Sequence, residues 1–143
     1  SRYFPSTSML RSAVILRLSG IYGPDRLIAR IAALQSGELL SGNPDAWLNL
    51  IHVDDAVSTV LAAAVRRQIA AMYLVSDDRP ITRLEYYETL ASLVNAPPPK
   101  FQVVSDVERV QLNKRCSNRR MRQELGVNLQ FPDINTGLRN ATC

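Results

Sequence analysis

Residues 13–18, with the sequence AVILRL, constrain the possible fold more than any other part of the chain. Apart from Arg17 the run is apolar and rich in β-branched side chains, and it does not alternate with polar residues. A strand with one solvated face alternates, whereas a strand covered on both faces reads as a continuous apolar run. Such strands occur in parallel sheets, where crossover helices cover both faces. The run therefore predicts a parallel sheet in an α/β protein.

Helical patterns follow this run. Residues 19–24 (SGIYGP) predict a turn, and Pro24 with Asp25 predicts the first turn of a helix. The apolar stripe of that helix is Leu27, Ile28, Ile31 and Leu34. Asp54 and Asp55 predict the start of a second helix. Its apolar stripe is Val57, Val60, Leu61, Ala64 and Val65.

Further strands are predicted at residues 47–52, 71–75 and 101–104. Capping boxes at Thr82/Glu85 and Ser105/Glu108 predict two more helix starts. The order strand–helix–strand–helix–strand–helix predicts right-handed crossovers between parallel strands. Three such strands would leave edges and apolar helix faces uncovered. Because the chain begins with Ser and reaches a buried-strand pattern almost at once, we expect the later part of a longer chain.

The composition excludes several classes of protein. With 46% hydrophobic and 21% charged residues among 143, the chain resembles a globular protein rather than a disordered one. Its longest weakly polar run, residues 56–65, is far shorter than the roughly 20 residues of a membrane span, and no export signal is recognisable. A net charge of +4 is small for a dedicated nucleic-acid binder. Cys116 and Cys143 lack metal-ligand spacing, so we expect free thiols, no metal site and a cytoplasmic protein.

Three groups of residues could carry chemistry. Gly20 and Gly23 lie between a strand and a helix, but no third glycine completes a dinucleotide fingerprint, so a plain turn is favoured. His52 precedes two aspartates and could act as a general base, although a pocket-lining or buried role at a strand end is favoured. A basic cluster comprises Lys114, Arg115, Arg119, Arg120 and Arg122. It lacks interleaved aromatic residues, so a solvated face is favoured over phosphate or nucleic-acid contact.

Four segments, in order and spacing, resemble a known family: residues 14–24 (VILRLSGIYGP), 49–55 (NLIHVDD), 73–78 (YLVSDD) and 114–118 (KRCSN) with 125–126 (LG). They resemble the extended short-chain dehydrogenases/reductases, and more narrowly the NAD-dependent epimerase/dehydratase family with its sugar-nucleotide-epimerase-like members. The resemblance implies the C-terminal part of a Rossmann-like parallel sheet plus a small mixed α/β substrate-side subdomain. We expect residues 1–95 to hold the C-terminal strands and helices of the Rossmann-like domain with interleaved substrate-loop segments. Residues 96–143 are expected to form the substrate-side C-terminal subdomain.

In that family the N-terminal half carries the glycine-rich dinucleotide turn, the catalytic Ser/Thr and a Tyr-x-x-x-Lys pair. None of these is found in this sequence, so no catalytic residue is assigned to it. The resemblance implies that NAD or NADP is bound mainly by that other half. It also implies that a loop of this chain passes the nicotinamide end of the cofactor: Leu18, Ser19, Gly20 and Ile21. The implied substrate-binding residues are Tyr22, Arg26, Trp47, Asn49 and His52.

The sequence also departs from the family. Gly20 stands where many nucleotide-sugar enzymes carry a substrate-binding Asn, and Leu48 stands where they carry a diphosphate-binding Arg. Both departures count against a UDP- or GDP-sugar. Asp55 is expected to be structural and to cap the helix that follows it.

Two functional hypotheses follow. The first is the substrate-side, C-terminal part of an NAD(P)-dependent sugar-nucleotide epimerase/dehydratase-like oxidoreductase. This part would be inactive alone, and it would associate with its N-terminal half or with another copy. Its partner would be a small molecule such as a sugar nucleotide, with no nucleic acid and no membrane. The second hypothesis is a non-catalytic NAD-binding or interaction module on the same scaffold.

Overall fold

The computed structural model describes residues 13–65, 71–102 and 115–143. Its strands are β1 (Ile15–Leu18), β2 (Gly20–Tyr22), β3 (Leu39–Leu40), β4 (Trp47–Leu48), β5 (Leu50–His52), β6 (Met72–Val75), β7 (Ile81–Thr82) and β8 (Lys100–Phe101). Its helices are α1 (Ile28–Gln35), α2 (Val53–Val65), α3 (Arg83–Leu93), α4 (Arg119–Leu125) and α5 (Ile134–Ala141). The predicted capping box Ser105/Glu108, residues 103–104 of a predicted strand and Lys114 lie outside the described residues.

The described strands form four pairs, and three of the pairs are parallel. β1 pairs with β6, β2 with β5, and β3 with β8 in parallel, whereas β4 pairs with β7 in antiparallel orientation. Parallel strands need crossover connections, and α1 and α2 lie between β1 and its partner β6. This arrangement confirms the predicted α/β class with a Rossmann-like parallel sheet.

The chain changes its strand partner at two residues, Ser19 and Asn49. Ser19 separates β1 from β2, and its amide donates to the carbonyl oxygen of Val75 at 3.0 Å. Asn49 separates β4 from β5, and its carbonyl oxygen accepts from the amide of Gly20 at 3.1 Å. The prediction of one strand at residues 47–52 was therefore wrong, because two strands with different partners occupy it. Apolar patterning reports burial and does not reveal a change of partner.

Helix α1 begins at Ile28 rather than at Pro24, and β2 occupies part of the predicted turn. Asp25 has a φ of 65°, in the left-handed region, so a right-handed helix cannot run through it. Ile28 is 68% exposed and does not belong to the buried stripe of the helix. Leu27 and Leu34 are the buried residues there, as predicted.

Helix α2 buries the face opposite to the predicted one. Four residues of the predicted apolar stripe are largely exposed: Val57, Val60, Leu61 and Val65. The buried face carries smaller or polar side chains: Asp55, Ala56, Thr59 and Ala63. The apolar face of α2 is therefore left without a neighbour among the described residues.

Asp55 explains this orientation. Its two carboxylate oxygens accept hydrogen bonds from the backbone amides of Gln130 and Phe131, each at 2.8 Å. A carboxylate that is 1% exposed is stable only when its oxygens are paired, so these bonds fix which face of α2 turns inward. The structural role predicted for Asp55 is present, but its partners lie across the molecule rather than at the start of its own helix.

Buried side chains form two clusters. The first lies among α1, α3 and α5: Tyr22, Leu27, Leu34, Leu40, Ile81, Tyr86, Tyr87, Leu90, Ala91, Ile134 and Leu138. The second lies among β6, α2 and α4: Ile51, Ala56, Ala63, Tyr73, Val75, Met121, Leu125 and Val127. Each cluster contains residues from before and after the domain boundary expected between residues 95 and 96. The division into two domains at that boundary stays a prediction.

Helix ends follow their capping residues. Thr82 accepts from the amide of Glu85 at 3.2 Å, as the capping box predicts, and Asp133 accepts from the amide of Thr136 at 3.1 Å. Gly126 ends α4 with a φ of 67°. Within the described ranges, no helix combines the length and the apolar character needed to cross a bilayer.

Gly137 of α5 lies where no side chain fits. A Cβ atom there would overlap the hydroxyl of Tyr22, which is buried and has no hydrogen-bond partner among the described residues. We expect Gly137→Ala to lower the free energy of unfolding by about 1–3 kcal/mol, the range for an overpacked core. Urea denaturation measures this loss.

Tyr22→Phe tests the cause, because it removes the nearest overlapping atom, the hydroxyl oxygen, and costs little where that oxygen is unpaired. Two ring carbons, Cζ and Cε2, would stay 2.6 and 2.8 Å from the added Cβ. The double variant should recover part of the stability lost by Gly137→Ala. Asn135→Ala, an exposed change on the same helix, should stay within about 0.5 kcal/mol of the parent protein. An unchanged loss in the double variant would contradict the overlap as the cause.

Candidate functional site

A cavity of about 240 Å³ lies just after the carboxyl end of β1, bordered by β2, the β4–β5 junction, α1 and α3. Ligands of parallel α/β sheets bind at the carboxyl ends of the strands. Five of the predicted site residues border this cavity: Gly20, Ile21, Tyr22, Arg26 and Asn49. The other four predicted residues do not border it: Leu18, Ser19, Trp47 and His52.

Two arginines and a tyrosine of the cavity were missed by sequence reasoning: Arg30, Arg83 and Tyr86. Arg30 follows Arg26 by four residues, a spacing that places both on one face of a helix, and this signal could have revealed it. Arg83 follows the cap residue Thr82 as an ordinary first helical residue, so no pattern distinguishes it. Leu48, where the family carries an arginine, also borders the cavity.

Arg30 is held by two tyrosines of α3. Its Nη1 donates to the hydroxyl of Tyr87 at 2.8 Å, and its guanidinium lies 5.9 Å from the ring centre of Tyr86. Burial raises the pKa of Tyr86 to about 12, although the charge of Arg30 lowers it. The tyrosine therefore stays neutral and leaves the positive charge of Arg30 uncompensated.

The segment that begins at Arg115 contacts the β4–β5 junction through Trp47 and Asn49. The guanidinium of Arg115 lies 5.0 Å from the ring centre of Trp47, and the amide of Cys116 donates to Oδ1 of Asn49 at 2.7 Å. Asn118 extends the attachment by donating to the carbonyl oxygen of Ser76 at 3.0 Å. Trp47 thus contacts Arg115 and does not line the cavity.

His52 is fully buried, so it does not reach the cavity. Its Nδ1 accepts from the amide of Asp54 at 3.0 Å, which requires the ring proton on Nε2, and Nε2 then donates to Oδ1 of Asn140 at 2.8 Å. Its ring stacks on Phe131 at 4.0 Å and meets the edge of Tyr22 at 5.4 Å. The predicted direct contact of His52 with a substrate is therefore not supported, because both ring nitrogens are used within the fold.

Two of the five residues of the basic cluster pair with carboxylates. Arg120 pairs with Glu124 at 3.4 Å, and Arg122 pairs with Asp78 at 2.6 Å. Arg115 lies over the Trp47 ring. Arg115, Arg119 and Arg120 are exposed, in agreement with the favoured solvated face. No group of side chains able to hold a metal ion occurs in residues 13–65, 71–102 and 115–143.

No protein-family profile matches the chain, but individual proteins do. Over 97 residues it is 35% identical to short-chain dehydrogenase/reductase family 42E member 1 of Danio rerio, covering 59% of this chain and 25% of that protein. A functionally unknown conserved protein of Silicibacter pomeroyi superposes with a TM-score of 0.71 at 30% identity, covering 89% of this chain and 46% of that one. The resemblance to short-chain dehydrogenases/reductases is confirmed.

A third comparison shows the shared fold alone, because its sequence identity is only 16%. UDP-glucuronic acid 4-epimerase of Bacillus cereus, in complex with UDP-glucuronic acid and NAD, gives a TM-score of 0.73. The match covers 92% of this chain and 44% of the epimerase. This short-chain-dehydrogenase-like chain therefore spans between a quarter and about half of the proteins it matches.

Asp77 is a buried carboxyl group just after β6 of this short-chain-dehydrogenase-like fold. Its Oδ1 accepts from the amide of Arg79 at 3.1 Å, and its Oδ2 has no partner among the described residues. Burial raises the pKa of Asp77 to about 7, against the opposing effect of the Arg79 hydrogen bond. Burial, followed by the charge of Asp77, raises the pKa of the Tyr22 hydroxyl far above its ordinary value.

The raised pKa of Asp77 predicts a dependence of stability on pH. The folded protein keeps this proton up to about pH 7, and the unfolded chain only up to about pH 4. The contribution of this group is therefore complete at low pH and is lost as the pH rises through that interval. Asp77→Asn cannot ionise, so its free energy of unfolding should not fall in this way. We expect the difference in free energy of unfolding between the variant and the parent protein to increase by on the order of 2 kcal/mol from about pH 5 to about pH 8.

Urea denaturation at both pH values measures this gain. Asp45→Asn, a change at an exposed carboxylate, is the matched control and should leave the pH dependence unaltered. Parallel pH profiles for Asp77→Asn and the parent protein would show that Asp77 is ionised at no cost in the folded state.

Proposed function

We propose that this chain forms the substrate side of an NAD(P)-dependent oxidoreductase of the epimerase/dehydratase kind. One observation carries the proposal: an arginine-bearing cavity lies just after the carboxyl end of β1, in the fold of an enzyme solved with UDP-glucuronic acid and NAD. The proposed substrate is a small molecule such as a sugar nucleotide. A cytoplasmic location is part of the proposal, and the free thiols Cys116 and Cys143 support it.

NAD or NADP would supply hydride transfer when bound. The proposed nicotinamide-side residues follow one another at the carboxyl end of β1: Leu18, Ser19, Gly20 and Ile21. Tyr22, Arg26 and Asn49 would line the substrate side, with Trp47 and His52 holding that wall in place. The acid/base pair and most of the cofactor contacts would come from a cofactor-binding half of the same family, on this polypeptide or on another.

The apolar face of α2 is the proposed docking surface for that half. Leu61 is 61% exposed and Val65 is 84% exposed. Ile15 and Met72, neighbours on the paired strands β1 and β6, are also exposed. Parallel strands are normally covered on both faces, and β1 has no second strand neighbour among the described residues. A parallel α/β unit fits because it supplies both a strand edge and helix faces.

Leu61→Asp tests this surface. We expect it to weaken binding to a separately produced cofactor-binding half by roughly tenfold or more, because it buries an unpaired charge. Gln123→Asp, an exposed change on α4, should have no effect. Sedimentation velocity measures both. Concentration-dependent dimers that Leu61→Asp abolishes, without binding to the half, would assign the surface to a second copy instead.

A non-catalytic NAD-binding or interaction module is the second candidate. It is favoured by Gly20 and Leu48, which border the cavity and depart from the family's pattern. The test combines the chain with a cofactor-binding half, titrates NAD and NADP, and then follows NAD(P)H absorbance over a panel of sugar nucleotides. We expect turnover at least roughly tenfold above either part alone. Cofactor binding without turnover on any member of the panel would favour the module.

A further inference from the structure

A groove lies between α3 and α5 and shares no lining residue with the cavity after β1. Its volume is about 400 Å³, within the roughly 300–1,000 Å³ of pockets that hold small ligands. The two helices share a packed core that includes Leu90 of α3 and Leu138 of α5, both fully buried. Helices joined by such a core keep a fixed separation, so the groove exists before any ligand arrives.

Helical spacing brings polar side chains to both walls of this groove. The α3 wall carries four of them at the spacing of one helix face: Glu85, Glu88, Thr89 and Ser92. On α5, Asn135 and Arg139 are four residues apart and line the other wall. The α3 wall therefore offers mainly carboxylate and hydroxyl oxygens, whereas the α5 wall offers amide and guanidinium N–H groups.

Glu88 and Arg139 bring opposite charges to the groove, and the fold leaves both without a partner. Within residues 13–65, 71–102 and 115–143, neither side chain forms an ion pair with the other or with any other charged group. Glu85, by contrast, pairs with Arg79 at 2.8 Å. A ligand that carries both an ammonium and a carboxylate pairs with both free charges, whereas a ligand with a single charge leaves one of them unmatched.

An apolar depression of about 220 Å³ adjoins the groove at Glu88 and Ser92, which line both. Its other lining residues are small or cyclic: Ala91, Ala96, Pro98 and Pro99. The side chains of alanine and proline have no polar group that would lose hydrogen bonds, and burial of apolar area is favourable. The depression therefore suits an aliphatic side chain of a ligand whose charged part lies in the groove.

We propose that the groove binds a zwitterionic ligand with an apolar side chain, such as a free aliphatic α-amino acid. Its ammonium pairs with Glu88, its carboxylate pairs with Arg139, and its side chain lies against Ala96 and Pro98. The two ends of a short peptide have the same chemistry, so a dipeptide is the comparison ligand. This binding is additional to the proposed oxidoreductase function and does not depend on it.

Isothermal titration of the full chain with L-leucine tests the proposal, together with two derivatives that each lack one charge. Leucinamide lacks the carboxylate, and N-acetylleucine lacks the ammonium. We expect saturable binding of L-leucine and a loss of roughly fivefold or more for each derivative. Glycine keeps both charges but lacks the side chain, so it should also bind more weakly than L-leucine.

Two substitutions at exposed positions identify which charge meets which group. Glu88→Gln should weaken L-leucine and leucinamide by roughly fivefold or more but leave N-acetylleucine within about twofold of the parent protein. Arg139→Gln should weaken L-leucine and N-acetylleucine but not leucinamide. Glu38→Gln and Arg119→Gln are matched changes at exposed positions outside the groove, and they should bind all three ligands as the parent protein does.

Circular dichroism of Glu88→Gln and Arg139→Gln checks that they stay folded, as is expected at exposed positions. Absence of saturable binding of any zwitterion by the parent protein would overturn the proposal. Binding of L-leucine that both variants leave unchanged would also overturn it. Tighter binding of leucyl-leucine than of L-leucine would support a zwitterion supplied by peptide ends, and the reverse order would support a free amino acid.

Discussion

The buried carboxylate of Asp55 fixes the position of α2 against the C-terminal part of the chain. Its bonds to the amides of Gln130 and Phe131 connect α2 to the segment before α5. Phe131 then stacks on His52, and His52 donates to Asn140 of α5. Because a buried charge is costly unless fully paired, a shift of α2 would break this whole series of contacts. The wall of the cavity depends on it, since His52 also meets the ring of Tyr22.

Sequence patterns predicted the parts of the fold that depend on local chemistry. The β-branched run before Ser19 forms a parallel strand, and Thr82 caps α3. Both features depend on the types of residues that are adjacent in the sequence. The inner face of α2 was not predictable in this way. An apolar stripe such as Val57 to Val65 shows that a face favours burial but not which neighbour provides it. Asp55 decided the orientation through partners about 75 residues away.

Only part of the candidate site was predicted, because side chains that line it are again defined by contacts with distant segments. Family resemblance brought Tyr22, Arg26 and Asn49 to one cavity, but it also placed His52 there, where the structure uses the ring as a helix cap. A histidine at a strand end has the same sequence signature in both roles. Arg83 had no signature at all, since its position is defined by the loop around Gly42.

The cavity is small, and the β1–β6 strand pair beside it is incompletely covered. A volume of about 240 Å³ falls below the roughly 300–1,000 Å³ of pockets that enclose whole ligands. It can hold one charged portion of a ligand while the rest remains uncovered. Strands β1 and β6 form a parallel pair with no further strand beside them among the described residues. A second parallel unit placed beside β1, as proposed above, would cover the apolar surface at Ile15 and add the strand neighbour that β1 lacks among the described residues.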